Sequence, residues 1–261
     1  MKQRGIPILL VVVVAALIIV MRTSPHGQSG IKSDSRAQGK GVEVDKEQWP
    51  VTDYGAPELK DSEKRAIRRA KNARHDEERN VREPEDRPGV VYETNIINDW
   101  EVGLPALPAY QSDAVIVGEV LDAQAYLSND KTGVYSEFTV RISDVLKNDQ
   151  WSHLSEGSSV VAERVGGRVR FPSGKILPVR VSGQGMPRAG RQYVFFLRRL
   201  DKEQTYSLLT GYELSAGKVS PLDGQKPNGG GSPWKFDKYE NWERGAFLDA
   251  VRDAIANPSS Q

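Results

Sequence analysis

Residues 112–148 read SDAVIVGEVLDAQAYLSNDKTGVYSEFTVRISDVLKN, and their reading decides the fold class. Val115, Val117 and Leu121 alternate with Ile116, Gly118 and Val120, an apolar run long enough for one strand and too short for a helix. Ser128-Asn129-Asp130-Lys131-Thr132-Gly133 supplies turn chemistry. From Glu137 the period is two, with Phe138, Val140 and Ile142 on one face and Glu137, Thr139 and Arg141 on the other. The stretch predicts a β-hairpin. It carries no chemical motif.

Strand patterns continue on both sides. Val90, Val91 and Tyr92 suggest a first strand. Residues 159–171 read as a second hairpin closed by Gly166-Gly167, a turn that tolerates positive φ at both positions. That turn would pair Val165 with Arg168, Arg164 with Val169, Glu163 with Arg170 and Ala162 with Phe171. Residues 176–181 form a further strand. Residues 192–200 (QYVFFLRRL) are apolar on both sides, which requires cover on both faces. Strands over 206–209 and 218–222 follow, then a loop. Asp237 with Glu240 has capping-box spacing, and a helix over 240–256 carries the stripe Phe247, Leu248, Val251 and Ile255. About seven short strands and one terminal helix predict a mainly β domain over residues 88–257, a small antiparallel OB-like barrel. The helix is the natural cover for strand 192–200.

Upstream the chain changes character twice. Residues 2–4 include two bases, and residues 6–21 (IPILLVVVVAALIIVM) are almost wholly apolar. A spanning helix wants roughly 17–25 residues, and snorkelling flanks extend a shorter one. A cleaved signal peptide is the rival reading, but Ala15-Ala16 lies inside the apolar run and Met21-Arg22-Thr23 is a poor exit. Residues 1–22 therefore read as an uncleaved, single-pass signal-anchor, with the bulk of the chain extracytoplasmic. Residues 23–87 read as a flexible linker. Within it a solvated, charge-alternating helix spans 57–82, in which only Leu59, Ile67 and a few alanines are expected to face a core.

Composition excludes several chemistries. The 261 residues contain no cysteine, which removes disulfides, thiolate catalysis and Cys-ligated metals. A net charge of +1 gives no overall attraction to nucleic acid. The three histidines are His26 in the tether, His75 in the charged helix and His153 in a loop. The common hydrolase, zinc and phosphate-loop signatures are missing from suitable strand–helix contexts. Gly183, Gly185 and Gly190 lack dinucleotide-motif spacing and include Pro187, so they read as a loop. Neither a catalytic residue, a metal site nor a cofactor is expected.

One charge pattern stands out. Residues 88–160 hold eleven acids and three bases, whereas 161–200 hold nine bases and one acid. Acidic and basic strands could simply neutralise each other. The alternative is a basic face of Arg164, Arg168, Arg170, Arg180, Arg188 and Arg191 awaiting an acidic envelope protein or an anionic glycan.

Residues 112–120 (SDAVIVGEV), 138–140 (FTV) through 145–147 (VLK), 191–197 (RQYVFFL) and the helix through Phe247-Leu248 and Val251-Arg252 carry a family resemblance. Over roughly residues 110–255 the chain resembles an uncharacterised family of bacterial envelope proteins with an OB-like or metalloprotease-inhibitor-like barrel. The resemblance implies a fold and no catalytic residue. Inhibitors of that fold class use an N-terminal cysteine, which is absent here. The expected function is a membrane-tethered binding module that acts without catalysis or nucleic acid. The alternatives are an envelope hydrolase or transferase with an unrecognised carboxylate site, and a structural envelope-assembly factor.

Overall fold

In the computed structural model of the chain, residues 49–85, 92–151, 153–200, 205–224 and 235–257 are described. Their strands are β1 (Val51–Asp53), β2 (Thr94–Ile96), β3 (Ala114–Leu127), β4 (Val134–Lys147), β5 (Ser159–Val165), β6 (Gly167–Arg170), β7 (Ile176–Val181), β8 (Gln192–Arg199), β9 (Thr205–Ser215) and β10 (Lys218–Pro221). Helix α1 spans Ser62–Asn72 and runs into a 3-10 turn, Ala73–His75; α2 spans Arg244–Ala256 after a second such turn, Lys235–Tyr239.

β3 and β4 form the expected antiparallel hairpin, with Leu127 opposite Val134 at its tip. It is the base of a closed five-stranded barrel. β3 pairs with β8, β8 with β9, β9 with β5, and β5 with β4. β10 extends β9 outside the ring. A second sheet has the order β1-β6-β7-β2. The all-antiparallel expectation fails at three pairs, because β5–β9, β1–β6 and β2–β7 are parallel.

β8 behaves as its pattern requires. Tyr193, Phe195 and Leu197 enter the barrel core with Ile116, Phe138 and Val160. Val194 and Phe196 face outward into a second core with Phe247 and Val251 of α2. A third core joins Val169, Phe171, Leu177 and Val179 of the second sheet to Ala125 and Val134 near the hairpin tip. The expected capping box does not form, since α2 begins at Arg244 and its cap residue, Glu243, makes no side-chain bond to the helix N–H groups.

Gly166-Gly167 does not close a hairpin. Val165 pairs with Tyr135 in the barrel, while Arg168 lies between Val51 and Pro178 in the second sheet. The chain crosses between sheets at this point, with φ of +106° and +148°. A Cβ on Gly166 would sit 2.7 Å from the Val179 carbonyl oxygen, and one on Gly167 would sit 3.0 Å from Ser136 Oγ. The positive φ at both positions and the close approach of Val179 and Ser136 together require the glycines.

The N-terminal boundary also moves. Trp49 is buried in the barrel core and β1 pairs with β6, so the folded region includes residues read as linker. The charged helix is shorter than expected. Asp61 caps it by accepting from the Glu63 and Lys64 backbone N–H groups. Three-residue β1 has too little pattern to reveal itself. The expected signal-anchor, the linker to residue 48 and most of the strand at 90–92 lie outside the described residues. Among those described, no helix is long and apolar enough to cross a membrane.

Candidate functional site

Register makes the most charged site in the fold. β4 and β5 place Glu137 directly opposite Glu163, and the two are 9% and 4% exposed. Like charges directly opposite on a sheet are destabilising by themselves. The compensation comes from α1 and its 3-10 turn. Arg68 donates bidentately to Glu137, with Nη1 at 2.7 Å and Nη2 at 3.0 Å, and Lys71 Nζ adds a contact at 3.3 Å. Arg74 Nη2 donates to Glu163 Oε2 at 2.6 Å, and His75 Nε2 lies 2.8 Å from Glu163 Oε1. The other ring nitrogen of His75 lies 2.9 Å from Glu78 Oε1.

Aromatic rings floor the site. His75 stacks on Tyr135 at 4.2 Å between centroids, and the Arg68 guanidinium sits 3.5 Å above the Tyr126 ring. Burial works against the charged imidazole, but the hydrogen bonds and charges of Glu163 and Glu78 outweigh it and push His75 up to about 9. At neutral pH the ring is therefore a cation donating from both nitrogens. Burial would raise Glu163, yet the bonds from His75 and Arg74 hold it below the usual carboxylate range. Burial also pushes the Tyr135 hydroxyl above its ordinary value. The paired carboxylates of the enzyme alternative thus exist in kind, but cations engage both. Among the described residues no group of three or more acids and histidines is placed to hold a metal ion.

The six arginines expected to form a basic face do not all share one: the β6–β7 register puts Arg168, Arg170 and Arg180 on the face of the second sheet opposite its core, while Arg188 and Arg191 lie in the segment before β8. Arg164 is not on a face at all; its side chain is 1% exposed and holds Asp223 bidentately at 2.6 and 2.9 Å. The same guanidinium donates to the carbonyls of Gly185, Leu208 and Leu209. Asp223 also accepts from the Gly185 N–H at 2.8 Å. The glycine loop after β7 is thereby clamped against the segment following β10. Arg170 pairs with Asp53 and Arg180 with Glu93. Arg188 and Arg191 share Glu213, at 2.8 and 3.8 Å. Arg168 is half-buried on β6. Most of these acids lie outside the acidic stretch whose neutralising role the sequence suggested.

A second feature lies in the loop between β4 and β5. Asn148 holds Leu154 through both its backbone groups, and Leu154 is buried in the barrel core. Buried Asp149 accepts from the Trp151 N–H at 2.8 Å, the Tyr206 hydroxyl at 3.0 Å and Arg199 Nη1 at 3.0 Å. The backbones of Trp151 and Leu154 are thus tied, while Trp151 is 75% exposed. Lys147 ties the neighbouring segment through the Ala109 and Ser112 carbonyls, and Tyr110 there is 73% exposed.

No family model matches the chain, and no curated protein matches its sequence. The closed barrel fits the barrel-like fold that the resemblance implies, and neither comparison supports an envelope-protein family.

Proposed function

We propose that this protein is an interaction module: an OB-like barrel of the bacterial envelope, held at the inner membrane by residues 1–22 with its bulk extracytoplasmic. The strand order β3-β4-β5-β9-β8, closing on β3 with β5 and β9 parallel, supports the OB-like reading. The observation that carries the function is Trp151, a large exposed aromatic whose own backbone N–H is tied to buried Asp149. Aromatic anchors dominate binding energy, and a preorganised one costs little ordering entropy on association. The partner engages the barrel mouth that carries Trp151 and Tyr110. Capture from envelope extract by the full chain and its Trp151→Ala variant tests this. Equal melting temperatures with lost capture support the proposal; equal capture refutes it.

A second reading rests on Arg188 and Arg191, which present two guanidiniums to the single carboxylate of Glu213 and stay substantially exposed. That local excess suits an acidic protein or anionic glycan. Capture lost in Arg188→Glu/Arg191→Glu but kept in Trp151→Ala would select it.

A further inference from the structure

The segment from Ser62 to His75 is held in an unusual way. None of the residues of α1 is buried, and only His75 at its end is. Its grip on the barrel is mainly polar: Arg68 and Lys71 on Glu137, Arg74 and His75 on Glu163, and Asn72 accepting from the Tyr135 hydroxyl at 2.8 Å, with ring contacts from His75 to Tyr135 and from Arg68 to Tyr126. A helix docked through apolar area stays put as long as the fold does. One held through side-chain charges can be exchanged for another set of cations, and salt weakens it as far as the pairs reach solvent, which Arg68 and Arg74 do at 22% and 30% exposure.

The surface beneath is built into the barrel. Glu137 and Glu163 are fixed opposite each other by the β4–β5 register, with Tyr126 and Tyr135 beside them. The ligand chemistry is not read from the carboxylates alone, because a cationic segment occupies the face in the folded chain. Its bases recur at positions 68, 71, 74 and 75, the spacing of one helix face.

We propose that Ser62–His75 is a displaceable strap, and that the Glu137–Glu163 face docks a cationic helix of a partner protein bearing bases at that same spacing. The strap is then an intramolecular competitor that keeps the face closed until the partner arrives. This surface is separate from the mouth carrying Trp151 and stands or falls independently of it.

The test uses the full chain and a fluorescent synthetic peptide of residues 57–82 as the probe. Arg68→Ala/Arg74→Ala weakens the strap and leaves the carboxylates in place. This variant binds the peptide at least tenfold more tightly than wild type, and binding weakens as salt rises. Adding Glu137→Gln/Glu163→Gln abolishes it. A variant with wild-type circular dichroism that fails to bind overturns the proposal. So does binding indifferent to the glutamine changes, or equal binding by wild type. Native-state trypsin cleavage of the wild-type chain serves if the variant does not fold. Cutting at Arg65–Arg74 accelerates with salt, relative to a free peptide substrate, while the barrel stays intact. Strap and barrel cut at one common rate overturn the strap.

Discussion

Replacing Asp223 with Ala should be among the most damaging single changes in the chain. The substitution removes a carboxylate that accepts three hydrogen bonds, two from Arg164 and one from the Gly185 N–H. Arg164 cannot follow its charge into water, because its side chain is 1% exposed and its remaining bonds go to three carbonyls. Breaking a buried ion pair from one side costs about 3–5 kcal/mol, because the surviving charge is left uncompensated. For a folded unit of this size, roughly 2–4 °C is lost per kcal/mol, so the melt should fall by roughly 6–20 °C. Arg164→Met/Asp223→Leu should cost less than Asp223→Ala, since no charge is stranded, although the orphaned backbone groups keep it below wild type. Denaturant titration followed by circular dichroism measures all three proteins. A loss under about 1 kcal/mol in Asp223→Ala would mean that the pair is solvated and the clamp misjudged.

Phe196→Ala should cost about 3–5 kcal/mol, because the ring is fully buried between β8 and α2; a loss below ~1 kcal/mol by denaturant titration would contradict that packing. His75 takes up its proton more readily folded, at about 9 against an ordinary 6.5. Its contribution is therefore complete below about 6.5 and disappears as pH rises through about 9. With 1.36 kcal/mol per unit, the contribution is on the order of 3 kcal/mol, and His75→Gln should flatten the stability-versus-pH curve over that window. Parallel curves for wild type and variant would remove His75 from the account. Gly185→Ala drives a Cβ into the Leu222 carbonyl oxygen. It should cost roughly 1–3 kcal/mol by overpacking, and an unchanged melt would show that the loop yields freely.

Local patterns in the sequence gave away the barrel's frame. The β3–β4 hairpin, the doubly apolar β8 and the Phe247–Val251 stripe each declare themselves within a dozen or so residues, because burial imposes periodicity. What stayed hidden depended on pairing across long separations. The α1 cations looked solvated because Glu137 lies 69 residues from Arg68, and Glu163 lies 89 residues from Arg74. The faint signal was Glu163, the one acid of β5. The basic window misled for the same reason: Asp53, Glu213 and Asp223 reach it only through tertiary folding. Gly166-Gly167 permits a tight turn and a crossing between sheets equally well, and the two flanking strands find their partners elsewhere, Val165 opposite Tyr135 and Arg168 between Val51 and Pro178.

Ring closure through β9 sets an order on biosynthesis. β9 supplies the partner for one edge of β5 and also for one edge of β8. It begins at Thr205, about 40 residues after β5 ends at Val165. At ~5–20 residues per second, the emerging chain leaves that edge of β5 open for roughly 2–8 s. Through that interval the half-built sheet offers unpaired backbone next to Val160 and Ala162, which invites pairing with other chains. A ribosome stalled between residues 165 and 205 would therefore yield an association-prone fragment, whereas one stalled beyond Ser215 would release a barrel able to shut.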